Sequence, residues 1–288
     1  MMTGGTSFIT LKQRRPEMIE FNCPNRKYDG TPVVCDLEVM AYAEAHVGDY
    51  KPELLKTPGK INALHFVESY LNASVDVQDI RNAVPGMEIN GITVFKDAMI
   101  TVREDSGYVS KLFHAGAIVI DQSVIGMKDG FEQFTIVHEG GHFCMHYPAF
   151  CGQDILAARS VMDKIMCRSS MIETDRPENR KWTDRDFMEH QANVYAAAVL
   201  MPRSTFVPFV MELNRKAGHK DGIFVRPPID PFFQYRHWYV FLEEIGQKIA
   251  ETYGVSESAA YVHMKRCGLI KTEDPKELPL YIRRGIAV

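Results

Sequence analysis

The sequence predicts an α+β fold, and three observations carry the prediction. Short β-branched runs crowd together between Ile89 and Asp121, helical spacing governs the segments before and after them, and the two patterns are segregated rather than alternating. The expected architecture is a small sheet covered by helices, with further helical segments toward both ends.

Each element has a local cause. The run NRKYDGTP is a cluster of turn-forming residues closing an irregular N-terminal arm. Residues 36–46 (DLEVMAYAEAH) open on a capping Asp and place Leu37, Met40, Ala41 and Ala45 along one face of a helix. Residues 60–71 put Ile61, Leu64, Val67 and Leu71 on the apolar side of a second helix. GITVF, AMITVRE and GAIVID, separated by Gly, Asp and Ser, then read as strands of a small antiparallel or mixed sheet. Lys128-Asp129-Gly130 supplies a turn into a helix anchored by Phe131, Phe134, Val137 and Phe143.

From Pro148 to Asp186 charge is dense and no period holds, so a surface loop is expected there; loops this long are uncommon unless functional or disordered. A helix resumes over 184–200 and ends at Met201-Pro202, because the residue before a proline avoids the helical region. The tract VRPPIDPFF makes another break. Helices near 240–253 and 257–266 follow, joined by the turn Gly254-Val255-Ser256.

The bulk numbers narrow the function classes. A net charge of −4 and a pI near 6.2 offer no broad electrostatic attraction to nucleic acid or anionic membranes. The first residues lack the continuous apolar core of a secretory signal, which leads to a cytoplasmic expectation. The longest apolar stretch, residues 192–201, falls short of the roughly 20 residues needed to span a bilayer and suits a buried helix. Six cysteines without a CxxC pair read as reduced thiols rather than a zinc ribbon or a dithiol redox motif.

The chemistry concentrates in FTIVHEGGHFCMHY. On a helix that advances about 100° per residue, His138 and His142 fall about 40° apart on one stripe, with Glu139 at its edge. Zinc accepts two such imidazoles and keeps a position for water, which Glu139 is placed to deprotonate as general base. A third ligand is available in EHQAN, where Glu189 and Asn193 stand four apart on one face: Glu189 to complete the coordination, Asn193 to hydrogen-bond a ligand histidine. His146 lies one turn beyond His142, as a group behind the ligands, a substitute ligand or a substrate-facing group, the first being favoured. His190, Glu173 and Asp175 read as solvated.

Together, FTIVHEGGHFCMHY and EHQANVYAAAVLMP resemble the paired motif of the ImmA/IrrE family of metallopeptidases, in which an HELGH-type helix precedes an E-x-x-A-N…A-A…L-M-P helix. The resemblance covers roughly residues 60–210. It implies a zincin-like, gluzincin-type core with one Zn²⁺ per chain, His138, His142 and Glu189 as ligands, Glu139 as general base and Asn193 behind the ligands. It places GAIVID where the family has its substrate-edge strand, and implies a protein or peptide substrate such as a helix-turn-helix repressor, cleaved in a stress or mobile-element circuit. Gly140 departs from the family's usual leucine.

The expected organisation is an arm and helical segment over 1–59, the metallopeptidase core over 60–210, and a helical C-terminal segment over 211–288. The helix pair within 249–270 resembles a helix-turn-helix, yet no Arg or Lys opens its second helix, which favours packing or substrate docking over DNA binding. The other function classes are a regulatory DNA- or partner-binding protein that keeps zinc for structure, and a metal-dependent amidase. Retention of Glu139 speaks for hydrolysis, since a structural site needs no base. Gly141 and the small residues Ala192 and Ala196 are expected to let the two metal helices approach closely; Gly140 has no comparable account in the sequence.

Overall fold

A computed structural model describes residues 19–84, 86–127, 130–150, 164–168, 181–226, 241 and 245–272. The expected features at residues 1–18, at Glu173 and Asp175, and at 227–233 lie outside them.

The described residues form an α+β fold organised around two helices that are buried over most of their length, enclosed by protein on nearly every side. α1 (Asp36–Tyr50) starts at Cys35, whose backbone N–H donates to the Glu38 carboxylate at 2.7 Å. Its inward face is Val39, Met40, Tyr42, Ala43, His46 and Val47, whereas Leu37, Ala41 and Ala45 are exposed. The expected face was therefore turned by part of a turn, because weakly apolar alanines were counted and the buried Tyr42 and His46 were not. α2 (Ala63–His65) is capped by Asn62 and widens into a π-helical turn over Phe66–Tyr70, so the second predicted helix forms with Leu64 on the outside.

Strands β1 (Ser74–Gln78), β2 (Ile89–Val94), β5 (Ala117–Asp121) and β6 (Lys164–Arg168) make one sheet in the order β1-β5-β2-β6. β1 runs parallel to β5, and β2 is antiparallel to both β5 and β6. Between β2 and β5 the chain makes a separate hairpin of β3 (Ala98–Glu104) and β4 (Gly107–Phe113). GAIVID is thus paired on both sides and is not an edge strand, a correction to the sequence reading. The presumed 148–186 loop contains a short helix, Tyr147–Phe150, at its start and β6 within it.

β2 is wholly buried because both of its faces are covered. Ile92 and Val94 pack with the hairpin residues Ile100, Val102 and Phe113, while Gly91 and Thr93 face the opposite way. Ile89 joins Ile92 on the hairpin side although an odd spacing should separate them. A register shift between Ile89 and Gly91 restores the parity, as a bulge does.

Gly130 opens α3 (Phe131–Met145) at φ 74°, a conformation costly for residues with a Cβ, in a spot where a Cβ would also strike the Gly254 carbonyl. α4 is the Tyr147–Phe150 turn, and α5 (Asp184–Leu200) starts with a capping box of Thr183 and Asp186. α6 (Arg203–Lys216) follows, then β7 (Phe224–Arg226), α7 (Gln247–Tyr253), α8 (Glu257–Arg266) and β8 (Ile270–Thr272), with β7 and β8 parallel. One core joins α1, α3, α5 and the C-terminal helices, which bury Ile249, Tyr253, Ala260 and Met264 in it. No single helix among the described residues is long and apolar enough to cross a membrane.

Two buried histidines outside the metal motif tie this core together. His46 bonds Tyr195 at 2.6 Å through Nδ1 and the Ile19 carbonyl at 3.0 Å through Nε2, and His263 Nε2 donates to the Met201 carbonyl at 3.0 Å. Burial holds His46 below the ordinary histidine range and takes His263 down to about 3. Unfolded histidines protonate near pH 6.5, whereas these stay neutral while folded, so their contribution is present above that pH and is lost as pH falls. The thermal midpoint is expected to drop between pH 7 and pH 5. His263→Gln, which keeps a donor but does not titrate, should flatten that dependence; an unchanged slope contradicts the account.

Candidate metal centre

α3 and α5 lie side by side, and their contact brings the predicted residues together. His138 Nε2 and His142 Nε2 are 3.1 Å apart; Glu189 Oε2 is 3.3 Å from the first and 3.9 Å from the second. His138, His142 and Glu189 form a buried group whose ligand atoms are arranged to hold one metal ion. Ligand atoms arranged tetrahedrally at 2.0–2.1 Å from an ion stand about 3.3 Å from one another; the 3.1 and 3.3 Å spacings match that, and the 3.9 Å spacing is wider.

The hydrogen bonds behind the imidazoles determine which nitrogen offers a lone pair. His138 Nδ1 donates to Asn193 Oδ1 at 2.9 Å, which leaves Nε2 unprotonated toward the centre. For His142 the logic runs through three residues. Gln191 Nε2 donates to the Pro32 carbonyl at 2.9 Å, which turns Gln191 Oε1 toward His146 Nε2, also at 2.9 Å. His146 Nε2 must then be the donor, its Nδ1 must accept from His142 Nδ1 at 2.9 Å, and His142 Nε2 faces the centre as a lone pair. His146 is wholly buried and acts through His142, so it is neither a ligand nor a group facing substrate.

Burial pushes His142 down to about 4 and His146 well below the ordinary histidine range, which keeps both neutral near pH 7. Burial opposes charge on Glu189 as well, but the two imidazoles that face it outweigh burial and hold its carboxyl below the usual carboxylate range. Arg185, one turn earlier on α5, brings its guanidinium to 3.9 Å from Glu189 Oε1.

Glu139, next to His138 in the chain, reaches the sheet. Thr93 Oγ1 donates to Oε2 at 2.5 Å, and Oε1 has no hydrogen-bond partner. Burial pushes this carboxyl up to about 7, opposed by His138 and the Thr93 hydroxyl. A cation in the triad would favour its ionised form. Gly91 makes the room: a Cβ there would lie 2.6 Å from Oε1 and 2.8 Å from Cγ of Glu139.

The structure therefore brings together His138, Glu139, His142, His146, Glu189 and Asn193. His190 is placed elsewhere: its Nε2 bonds Asp36 Oδ1 at 2.8 Å and its ring meets Trp182, so it links α5 to α1 rather than lying free on the surface. Gln191, Thr93, Gly91 and Arg185 were missed. Gln191 carried a usable signal, two positions from Glu189 within the EHQAN motif; Thr93 and Gly91 meet Glu139 only through tertiary packing.

The two motif glycines serve different neighbours. A Cβ on Gly141 would meet Tyr195 Cδ1 at 3.0 Å and the Ala192 Cα at 3.4 Å, so Gly141 sets the approach of α5 together with Ala192 and Tyr195, with Ala196 not among its nearest contacts. A Cβ on Gly140 would meet Val67 Cγ2 at 3.0 Å and Leu71 Cδ1 at 3.1 Å, so Gly140 makes room for the π-helical turn and the residue that follows it. Gly141→Leu is expected to push α5 away and abolish stoichiometric metal binding, measured by elemental analysis. Gly140→Leu should keep the metal but lower stability by about 1–3 kcal/mol, part of which Val67→Ala restores. Metal loss in Gly140→Leu with retention in Gly141→Leu reverses the assignment. No family model and no curated protein matches this chain.

Proposed function

We propose that the chain is a zinc-dependent endopeptidase. The observation that carries the reading is the pairing of a closed three-ligand centre with a carboxylate, Glu139, whose Oε1 has no partner and whose Oε2 is held by Thr93. A purely structural site has no use for an adjacent base. The donor set of two neutral imidazoles and one carboxylate suits zinc, and three protein ligands leave a fourth position for water. The resemblance to the ImmA/IrrE family supports the same reading and suggests a helix-turn-helix repressor as the class of substrate.

Zinc bound there supplies Lewis acidity, acidifying a water and polarising the scissile carbonyl. The chain's own residues do the rest. Asn193 and the His146–Gln191 pair keep His138 and His142 in the tautomers that ligate. Glu139 Oε1 takes the proton of the attacking water and returns it to the leaving amine nitrogen, while Thr93 keeps the carboxylate from rotating away. The raised affinity of Glu139 for a proton suits that shuttle, because a base and later acid works best when its pKa lies near the working pH.

Glu139→Gln tests the reading. The variant should bind one zinc per chain as the wild type does, and should lose at least about 10²–10⁴-fold in peptide-bond cleavage. The assay is co-expression with repressors encoded beside its gene, scored by intact mass. Where the wild type cleaves, cleavage by the variant at the same rate removes Glu139 from the chemistry. Cleavage of non-peptide amides alone turns the reading toward an amidase.

A further inference from the structure

The backbone that lies against Glu139 is that of β2, and both edges of β2 are already paired. Gly91 and Thr93, the two residues touching Glu139, face Ile120 and Ile118 of β5 on one side. On the other side they face Cys167 and Ile165 of β6. β6 comes from the segment that joins the two metal-binding helices, and it runs antiparallel to β2 along Val94 to Ile89.

An extended peptide recruited by strand addition needs an open edge. Among the described residues the unpaired edge of β1 is separated from β2 by the whole of β5, and the outer edge of β6 lies about 4.8 Å farther from β2 than β6 itself. Neither brings a peptide backbone beside the strand that touches Glu139. Burial adds an independent observation: His138, Glu139 and His142 expose no surface and Glu189 exposes 3%. A carboxylate meant to act on a polypeptide is sealed.

We infer that the chain is latent, with its own residues 164–168 in the place of substrate. Peptide reaches β2, and through it Glu139, only when β6 leaves. This inference rests on the endopeptidase reading and assigns that site its regulation: β6 is an internal competitor whose release turns the enzyme on.

Successive N–H groups of a strand point to opposite sides, so of Ile165→Pro and Met166→Pro at least one removes a ladder bond to β2. Binding of a fluorescent peptide copied from residues 162–170 is measured by anisotropy on zinc-loaded full-length chain carrying Glu139→Gln, with metal content as the folding control. One or both prolines should tighten binding about tenfold or more, because a competent state that was rare becomes common. Unchanged binding in both overturns the inference, and weaker binding overturns it by showing β6 to be the platform for the peptide. With Glu139 restored, cleavage of the same peptide should rise alongside binding. Tighter binding with no cleavage leaves the displaced strand established and removes the peptidase reading instead.

Discussion

Three buried lone-pair-bearing ligand atoms within 3.9 Å of one another repel unless a cation or protons sit between them. Here protons are directed elsewhere. Asn193 takes the one on His138, and the chain from Pro32 through Gln191 and His146 takes the one on His142. The convergence of His138, His142 and Glu189 is therefore a strained arrangement that a divalent ion would relieve, and the packing of α3 on α5 exists to enforce it. Metal binding on such a chain contributes to the stability of the fold as well as to the site.

That packing explains why the helix carrying His138 and His142 tolerates a glycine pair in its centre. Each glycine costs about 1 kcal/mol against alanine in a helix, yet each sits where another element presses in. Gly141 admits α5 at Ala192 and Tyr195, and Gly140 admits Val67 and Leu71. A third glycine, Gly91, does for the sheet what these do for the helices, leaving space for the Glu139 carboxylate. The helix carries its weak links because it is contacted on every side, and tertiary contacts replace the intrinsic propensity it lacks.

Legibility in the sequence followed the range of the interactions. His138 with His142, and Glu189 with Asn193, were readable because spacing four is a local property of a helix. The boundaries of α5 and α8 were readable because Thr183, Pro202 and Ser256 act within one turn. β1 was not, since SVDVQ is mostly exposed and too polar to show a strand pattern, and β4 was passed over although GYVSKLF alternates along its length. The place of GAIVID in the sheet was misjudged because strand order depends on β1 and β6, neither of which was seen. The roles of Thr93, Gly91 and Val67 depend on contacts across 46 or more residues, and no short pattern encodes them.

The most direct measurement is X-ray absorption at the zinc edge of the zinc-loaded chain. The account predicts one ion per chain, with two imidazole nitrogens at about 2.0–2.1 Å, carboxylate and water oxygens completing the shell, and no sulfur at about 2.3 Å. A sulfur shell, or a shell of oxygen alone with no imidazole scattering, contradicts it, because the triad would then not be where the metal binds.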